Sequence, residues 1–342
     1  MLGLRTNKKN AQRAKQYLDK HALLAKRFKL IGKDSFIYLP IVPSTDGKKA
    51  KRLEGLLAGK LVEKEFEELG NQSGYKKELM RRLGDGYEAA TKSYDLIGDM
   101  ALIDGRGRVA KEIAKTIMAT NKGVLTVISK GGAVRGKYRT RKYRHVLGKK
   151  NYIATYKENG AIFKFDIRKT FFSSRLAFDR LRIANLVNGN ENVVVMFAGM
   201  GPFAIQIAKM HRGATVVGIE LNRDACRYMK QNISLNHLQN VTAECGDVKR
   251  VAKKYMGFAD RVIMPLPKDS HSFLGCALKV GKRRFMLHYY AFGKRETAFG
   301  ENESIVRRFF SAHGRRVRIV GRRTVRQYSP KEIEIVLDVA VG

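Results

Sequence analysis

The chain has 342 residues, 44% of them hydrophobic, enough for two or three domains with real cores and too many for a disordered tail. Its 68 Lys and Arg against 31 Asp and Glu leave a formal charge of +37, which points to a polyanion such as nucleic acid as partner rather than to a basic proteome or a hot or saline habitat. The basic first thirty residues hold no apolar segment and no run of about 18 apolar residues occurs anywhere, so the membrane class is excluded and a soluble, unprocessed monomer is expected.

Ala11, Ala14, Leu18 and Ala22 at helical spacing predict a helix over 8–24, followed by strands over 28–31 and 35–42 around Gly32-Lys33-Asp34. Residues 1–60 therefore read as a small α+β module. Pro40, Pro43, Ser44 and Asp46-Gly47 break the pattern, and the charged stretch 61–92 reads as a linker with helical pieces. An apolar strand over 97–103, a helix over 109–119 and a strand over 124–128 then open a middle α+β domain assigned to 93–160. Its most charged part runs from Lys130 to Lys150, where nine Lys or Arg residues and no acid are interleaved with Tyr138 and Tyr143. Guanidinium groups bind phosphates and base edges through paired donors, and aromatic rings stack on unpaired bases, so this segment is expected to be an RNA contact loop rather than a merely solvated basic hairpin.

A strand over 152–156, the turn Glu158-Asn159-Gly160 and the alternating Phe163, Phe165 and Ile167 lead to Phe171-Phe172-Ser173-Ser174. Either serine can cap the next helix, whose apolar face is Leu176, Leu181 and Ala184 and which also carries Asp179 and Arg182. The run Val193-Val194-Val195-Met196-Phe197-Ala198-Gly199-Met200-Gly201-Pro202-Phe203 then reads as a buried strand, a glycine loop and a helix start, with Pro202 at the first helical position. A second strand, 215–219, ends in Glu220 at the spacing of a carboxylate that binds a ribose hydroxyl pair. The ligand is thus expected to be a nucleoside, with NAD, FAD and S-adenosylmethionine all open at this point.

Strands over 241–245, 261–264 and 284–290 continue the βα alternation, the first ending in Gly246-Asp247 and the second in Pro265-Leu266-Pro267. A helix over 304–312 and two alternating strands, 317–325 and 333–341, close the chain. Five βα units followed by an antiparallel hairpin predict an α/β class I methyltransferase fold, a Rossmann-like, mostly parallel seven-stranded sheet over 161–342, preceded by small α+β RNA-binding modules. Hydride transfer becomes the minority reading. Cys226, Cys245 and Cys276 stand far apart with no CxxC pair, so neither a disulfide framework nor a zinc site is signalled; the thiols read as small apolar fillers, a reducing cytoplasm is implied and no metal is expected. His271 and His288 lie near strand ends and are given no catalytic role.

From Lys137 onward the chain resembles the tRNA (guanine-37-N1)-methyltransferase family of archaea and eukaryotes. The resemblance rests on Tyr138-Arg139-Thr140-Arg141, Lys157-Glu158-Asn159-Gly160 with Asp166, Phe171-Phe172-Ser173-x-Arg175-Leu176, Met196-Phe197-Ala198-Gly199-x-Gly201-Pro202-Phe203 and Leu266-Pro267, five pieces in the family's order. It implies an S-adenosylmethionine-dependent tRNA methyltransferase with a module that touches the outer corner of tRNA, a middle domain and a catalytic domain. It further implies Asp179 as the general base at guanine N1 and Arg139 as the guanidinium at O6. Phe197, Gly199, Gly201, Glu220, Asp247 and Arg175 would bind the cofactor, and Arg135, Lys137, Tyr138, Arg141, Pro265 and Pro267 the tRNA with G37. Four positions depart from the family pattern: Val195 where an acid usually precedes Met-Phe-Ala-Gly, Asp179 for glutamate, Phe171 for tyrosine, and Pro265 for the asparagine before Leu-Pro. The rival readings are a related enzyme of wybutosine synthesis, transferring methyl or aminocarboxypropyl, a non-catalytic RNA-binding protein with a degenerate cofactor fold, and an NAD-linked oxidoreductase.

Overall fold

The structure, a computed structural model, describes residues 2–21, 23–25, 28, 30–33, 35–42, 47–66, 72–132, 136 and 140–342. The chain divides into two compact units, Met1–Lys92 with Lys115–Lys122, and Ser93–Ala114 with Gly123–Gly342.

In the first unit, β1 (Leu2–Asn7), α1 (Ala11–Lys20), β2 (Ile31–Lys33), β3 (Phe36–Pro40), α2 (Gly47–Leu56), β4 (Gly59–Glu63) and α3 (Gln72–Leu83) follow in order. The strands form an antiparallel sheet of order β2-β3-β1-β4. Leu4, Leu18, Leu39, Ile41, Leu53 and Leu57 form its core. The opening strand was not legible in the sequence, because its alternation is short, with Leu2, Leu4 and the buried Thr6 on one face and only Gly3 and Arg5 on the other. The strand expected over 28–31 lies at Ile31–Lys33 instead, where it pairs with β3 across the intervening turn.

The second unit begins with β5 (Asp95–Ile97), β6 (Met100–Ile103), α4 (Gly107–Thr120, whose residues from Lys115 on are counted with the first unit), β7 (Thr126–Lys130), β8 (Tyr143–Gly148), β9 (Ile153–Glu158) and β10 (Ala161–Asp166). The expected strand over 97–103 is two strands, because Gly98 takes a left-handed conformation (φ +61°) and turns the chain into a hairpin. The sheet order is β5-β6-β7-β8, with only the β6/β7 pair parallel. Part of the expected basic loop is thus the edge strand β8, while residues 133–135 and 137–139 lie outside the described residues.

The remaining elements are α5 (Ala177–Leu186), β11 (Asn192–Met196), α6 (Pro202–Met210), β12 (Thr215–Glu220), α7 (Arg223–Leu235), β13 (Val241–Cys245), α8 (Val248–Val251), β14 (Ala259–Met264), α9 (Leu274–Val280), β15 (Gly281–Lys294), α10 (Ala298–Ala312), β16 (Val317–Gln327) and β17 (Glu332–Val341). They build a seven-stranded sheet of order β13-β12-β11-β14-β15-β17-β16. The first five strands are parallel and β17 runs antiparallel to both neighbours. This is the class I methyltransferase arrangement that the five βα units and the closing hairpin predict. Strand β11 explains itself by its period of two. Val193 and Val195 enter the core on one face of the sheet, Val194 and Met196 the core on the other, and all four are fully buried. Neither serine caps α5 with its side chain; a single turn of 3-10 helix over Ser174–Leu176 precedes that helix instead.

Candidate active site

The strand order reverses between β11 and β14, and open α/β sheets bind ligands at such a point, beyond the carboxyl ends of the strands. A cavity of about 410 Å³ opens there, lined by residues that follow β11 (Phe197, Ala198, Gly199), β12 (Leu221, Asn222), β13 (Gly246, Asp247) and β14 (Pro265, Leu266), together with Phe171, Phe172, Ser173, Leu176, Arg180 and Phe273. Two glycines make the turn from β11 into α6. Gly201 (φ +94°) caps α6, and a Cβ there would lie 2.9 Å from both Ile205 Cδ1 and Met229 Cγ. A Cβ on Gly199 (φ +59°) would meet nothing closer than the Phe171 carbonyl oxygen at 3.9 Å, so its backbone faces open space that a ligand can use.

Glu220 ties the turn after β11 to the one after β12. Its Oε2 accepts the Gly199 N–H and its Oε1 the Asn222 N–H, each at 2.7 Å. Burial raises this carboxyl above the ordinary range, against the opposing pull of the Asn222, Gly199 and Leu221 amides. Asn222 in turn caps α7 by accepting from the Asp224 and Ala225 N–H groups, and Asp247 caps α8 by accepting from the Lys249 N–H. The Phe197 and Phe273 rings meet edge to face at 4.8 Å, giving the cavity an apolar side for a planar base. A flat apolar wall, a strand-end carboxylate and a bare glycine backbone together fit a nucleoside with a charged tail.

The structure joins two of the three cysteines. Cys226 and Cys245 form a disulfide with Cα atoms 5.7 Å apart, which corrects the reading of both as apolar fillers. They are 19 residues apart in sequence, but the β12/β13 pairing lays the end of β13 beside the first turn of α7. Only Cys276 is a free thiol, and burial pushes its pKa up.

A second, polar cavity of about 310 Å³ shares the wall Phe171, Phe172 and Ser173 with the first and is lined further by Asp95, Asp104, Lys130, Arg141, Tyr143, Arg175 and Arg326. Arg175 donates from Nε and Nη2 to Asp95 Oδ1 at 2.9 and 2.7 Å, and Lys130 Nζ bridges Asp95 and Asp104 at 2.8 and 3.2 Å. The Nε of Arg141 is buried there without a hydrogen-bond partner among the described residues.

The expected site residues are distributed as follows. Phe197, Gly199, Glu220, Asp247 and Pro265 line the first cavity, whereas Gly201 lies outside the lining, at the cap of α6 just before the lining residues Pro202 and Phe203. Arg141 and Arg175 line the second. Pro267 is buried beyond the strand end, outside both linings. Asp179 sits in the first turn of α5, 3% exposed, one turn beyond the cavity-lining Leu176. Its Oδ2 accepts the Tyr290 hydroxyl and its Oδ1 accepts Arg182 Nε at 2.8 Å. Tyr290 packs edge to face on the cavity-lining Phe203, with ring centroids 6.0 Å apart. Arg135, Lys137, Tyr138 and Arg139 lie outside the described residues. Phe273, Asn222 and Arg180 were not foreseen. Only the capping pattern Asn222-Arg223-Asp224 gave a local signal, since Phe273 arrives from a turn after β14, and Arg180 is fixed by a buried bidentate pair with Glu158 at 2.7 and 2.6 Å. His271 is exposed on a turn and His288 is fully buried.

Residues 154–320 match the TRM5/TYW2 methyltransferase domain and residues 3–49 the tRNA methyltransferase 5 N-terminal domain. The chain is similar to the tRNA (guanine(37)-N(1))-methyltransferase Trm5b of Pyrococcus abyssi, 33% identical over 82% of this chain and 84% of that protein. It is also similar to Trm5b of Methanocaldococcus jannaschii, 30% identical over 100% and 99% of the two chains. The tRNA 4-demethylwyosine(37)-methyltransferase Taw21 of Saccharolobus solfataricus is 32% identical over 77% of this chain and 98% of its own length. Among solved structures, aTrm5 in complex with tRNALeu superposes with a TM-score of 0.69 at 28% identity, covering 100% of both chains.

Proposed function

Because the chain belongs to the tRNA (guanine-37-N1)-methyltransferase family within the TRM5/TYW2 methyltransferases, we infer that it transfers the methyl group of S-adenosylmethionine to N1 of guanine 37 in tRNA. The observation that carries this is the pairing of a nucleoside-shaped cavity at the strand reversal with a polar, arginine-lined cavity across the wall Phe171–Ser173. Full-length similarity to Trm5b favours guanine over a wybutosine precursor, since the demethylwyosine methyltransferase matches only 77% of this chain. The charge of +37 suits tRNA, and no helix among the described residues is long and apolar enough to cross a membrane. Action on tRNA by a monomer in the cytoplasm is the corresponding cellular reading.

Glu220 would hold the ribose hydroxyls, Asp247 would face the adenine amino group, Phe197 and Phe273 would flank the base, and the Gly199 and Gly201 backbone would run beside the methionine tail. Bound S-adenosylmethionine supplies an electrophilic methyl group on a sulfonium centre. Guanine N1 is a poor nucleophile until its proton leaves and charge builds on O6. Asp179 is the carboxylate proposed to take that proton, meeting the base as it enters beside Leu176 and Phe178. Arg139 is proposed to receive the charge on O6, with Arg135, Lys137, Tyr138 and Arg141 holding the flanking RNA. Burial keeps Tyr290 protonated well above its ordinary range, reinforced by the negative charge of Asp179, so its hydroxyl remains a donor to the carboxylate. Pro265 stiffens the cavity wall without adding a donor.

The test uses tRNA transcripts that differ only in G or A at position 37, methyl-labelled cofactor, and the Asp179→Asn variant. The wild type should label the G37 transcript alone, and Asp179→Asn should retain tRNA and cofactor affinity while losing about a hundredfold or more in transfer rate. Equal labelling of both transcripts contradicts the position, and an unimpaired Asp179→Asn contradicts the base.

A further inference from the structure

Asp179 is the first member of a buried chain of charges that extends well past the cavity. Arg182, which holds Asp179 through Nε, donates its Nη1 to Asp338 Oδ2 at 2.7 Å. Asp338 Oδ1 lies 2.6 Å from His288 Nδ1, and His288 Nε2 lies 2.8 Å from Nη1 of Arg261. Arg261 ends the chain in a bidentate pair with Glu191 at 2.6 and 2.9 Å. A guanidinium only donates, so His288 Nε2 must accept from Arg261, and the ring proton sits on Nδ1 facing Asp338. Burial, with Arg261 and Arg182 nearby, keeps His288 neutral despite Asp338. Burial alone would raise the Asp338 carboxyl, but the His288 N–H and the Arg182 guanidinium outweigh it and hold Asp338 far below the carboxylate range.

We propose that Asp338 is a positioning residue for methyl transfer, sharing Arg182 with Asp179 so that the base stays proton-accepting, an inference that rests on the reading of Asp179 as that base. The charges explain the need. Within this hydrogen-bonded chain three carboxylates, Asp179, Asp338 and Glu191, meet two guanidiniums, Arg182 and Arg261, so a proton taken up by Asp179 leaves the other four charges of the chain balanced. Arg182 then keeps Asp338 as its partner, and no guanidinium is stranded in the interior. Without Asp338, the whole of the Arg182 charge would fall on Asp179 and fix it as a carboxylate. Among the described residues the other groups facing Asp179 are the Tyr290 hydroxyl and Arg323, whose buried Nε stands 4.0 Å from Oδ1 without a hydrogen bond, on a partly exposed side chain stacked over Phe178. Arg323 is therefore the weaker partner of Asp179, and Arg182 the closer one.

Two readouts separate this from a structural role: the pH dependence of kcat, and the 13C titration of the Asp179 carboxylate in the substrate-free protein, assigned by its loss in Asp179→Asn. Asp338→Asn should lower kcat about tenfold at neutral pH with both KM values unchanged. It should also move the acidic limb of kcat and the carboxylate titration down together by about one pH unit. Asp338→Glu should restore both. Tyr290→Phe, which removes only a hydroxyl donor, should move the titration the opposite way and keeps the test open if Asp338→Asn fails to fold. If Asp179→Asn abolishes transfer yet Asp338→Asn, or Tyr290→Phe where Asp338→Asn does not fold, leaves the limb and the titration unmoved, the role of Asp338 is overturned and the base stands. If Asp179→Asn transfers at the wild-type rate, the base and the inference fall together.

Discussion

Breaking the Cys226–Cys245 bond should loosen the cofactor cavity, because the bond joins the two segments that close it. Cys226 follows the lining residue Ala225 on α7, and Cys245 precedes the lining residues Gly246 and Asp247. A bridge across 19 residues of chain restricts the unfolded state by about 3 kcal/mol. For a unit of more than 200 residues each kcal/mol moves Tm by about 2–4 °C, so losing the bond should lower Tm by about 6–12 °C. Cys226 is fully buried whereas Cys245 is exposed, so Cys245→Ser removes the bond with little loss of packing. Scanning calorimetry of the wild type and Cys245→Ser, each with and without a phosphine reductant, isolates the effect. Reductant should lower the wild-type Tm to that of the variant and leave the variant unchanged. Titration calorimetry should show weaker binding of S-adenosylmethionine in both bond-free forms. Coincident melting of all four samples would refute the reasoning.

Three further expectations follow from the same geometry. Gly201→Ala places a Cβ 2.9 Å from two side chains at a φ of +94°, so it should destabilise the fold by about 1–3 kcal/mol and weaken cofactor binding, read by denaturant melts and calorimetry; wild-type values in both would contradict the packing. Glu220→Gln keeps the shape but turns an amide group toward the Gly199 or Asn222 N–H, so the dissociation constant for S-adenosylmethionine should rise by about tenfold or more, and an unchanged constant would remove Glu220 from the site. Asp338, Glu191, Asp260 and Asp95 are all held below the ordinary carboxylate range by Arg, Lys or His partners that outweigh their burial. Their stabilisation is complete above the unfolded values near pH 4 and is lost as pH falls through the lower folded ones, while the buried, neutral His288 costs stability once the unfolded imidazole protonates below about pH 6.5; Tm should therefore decline gently below about pH 6.5 and more steeply below about pH 4, and a Tm that rises on acidification would contradict the sign.

The catalytic fold was legible because local patterns agreed with it. The buried quartet 193–196, the glycines at 199 and 201, the acid at 220 and the closing hairpin each speak through near neighbours. Four side chains with no polar member mark a strand covered on both sides, and the two cores confirm it, with Val195 packed in one of them. The network around Asp179 was not legible, since Tyr290 and Asp338 are 111 and 159 positions away and meet it only through the β15/β17 pairing. His288 illustrates the limit: its sequence position suggested a structural residue, and its two charged partners come from β14 and β17. The disulfide was hidden for the same reason. Spacing between cysteines carries no information until the β12/β13 register is known. Single glycines decided the turns that periodicity overran, as Gly98 does between β5 and β6.

The most direct measurement is mass spectrometry of nucleosides digested from a G37 tRNA transcript after incubation with the protein and S-adenosylmethionine. The account predicts a single new nucleoside, guanosine heavier by one methyl group and co-eluting with 1-methylguanosine, mapped to position 37. Methylation at another guanine position, an aminocarboxypropyl adduct, or unmodified tRNA in the presence of bound cofactor would contradict it.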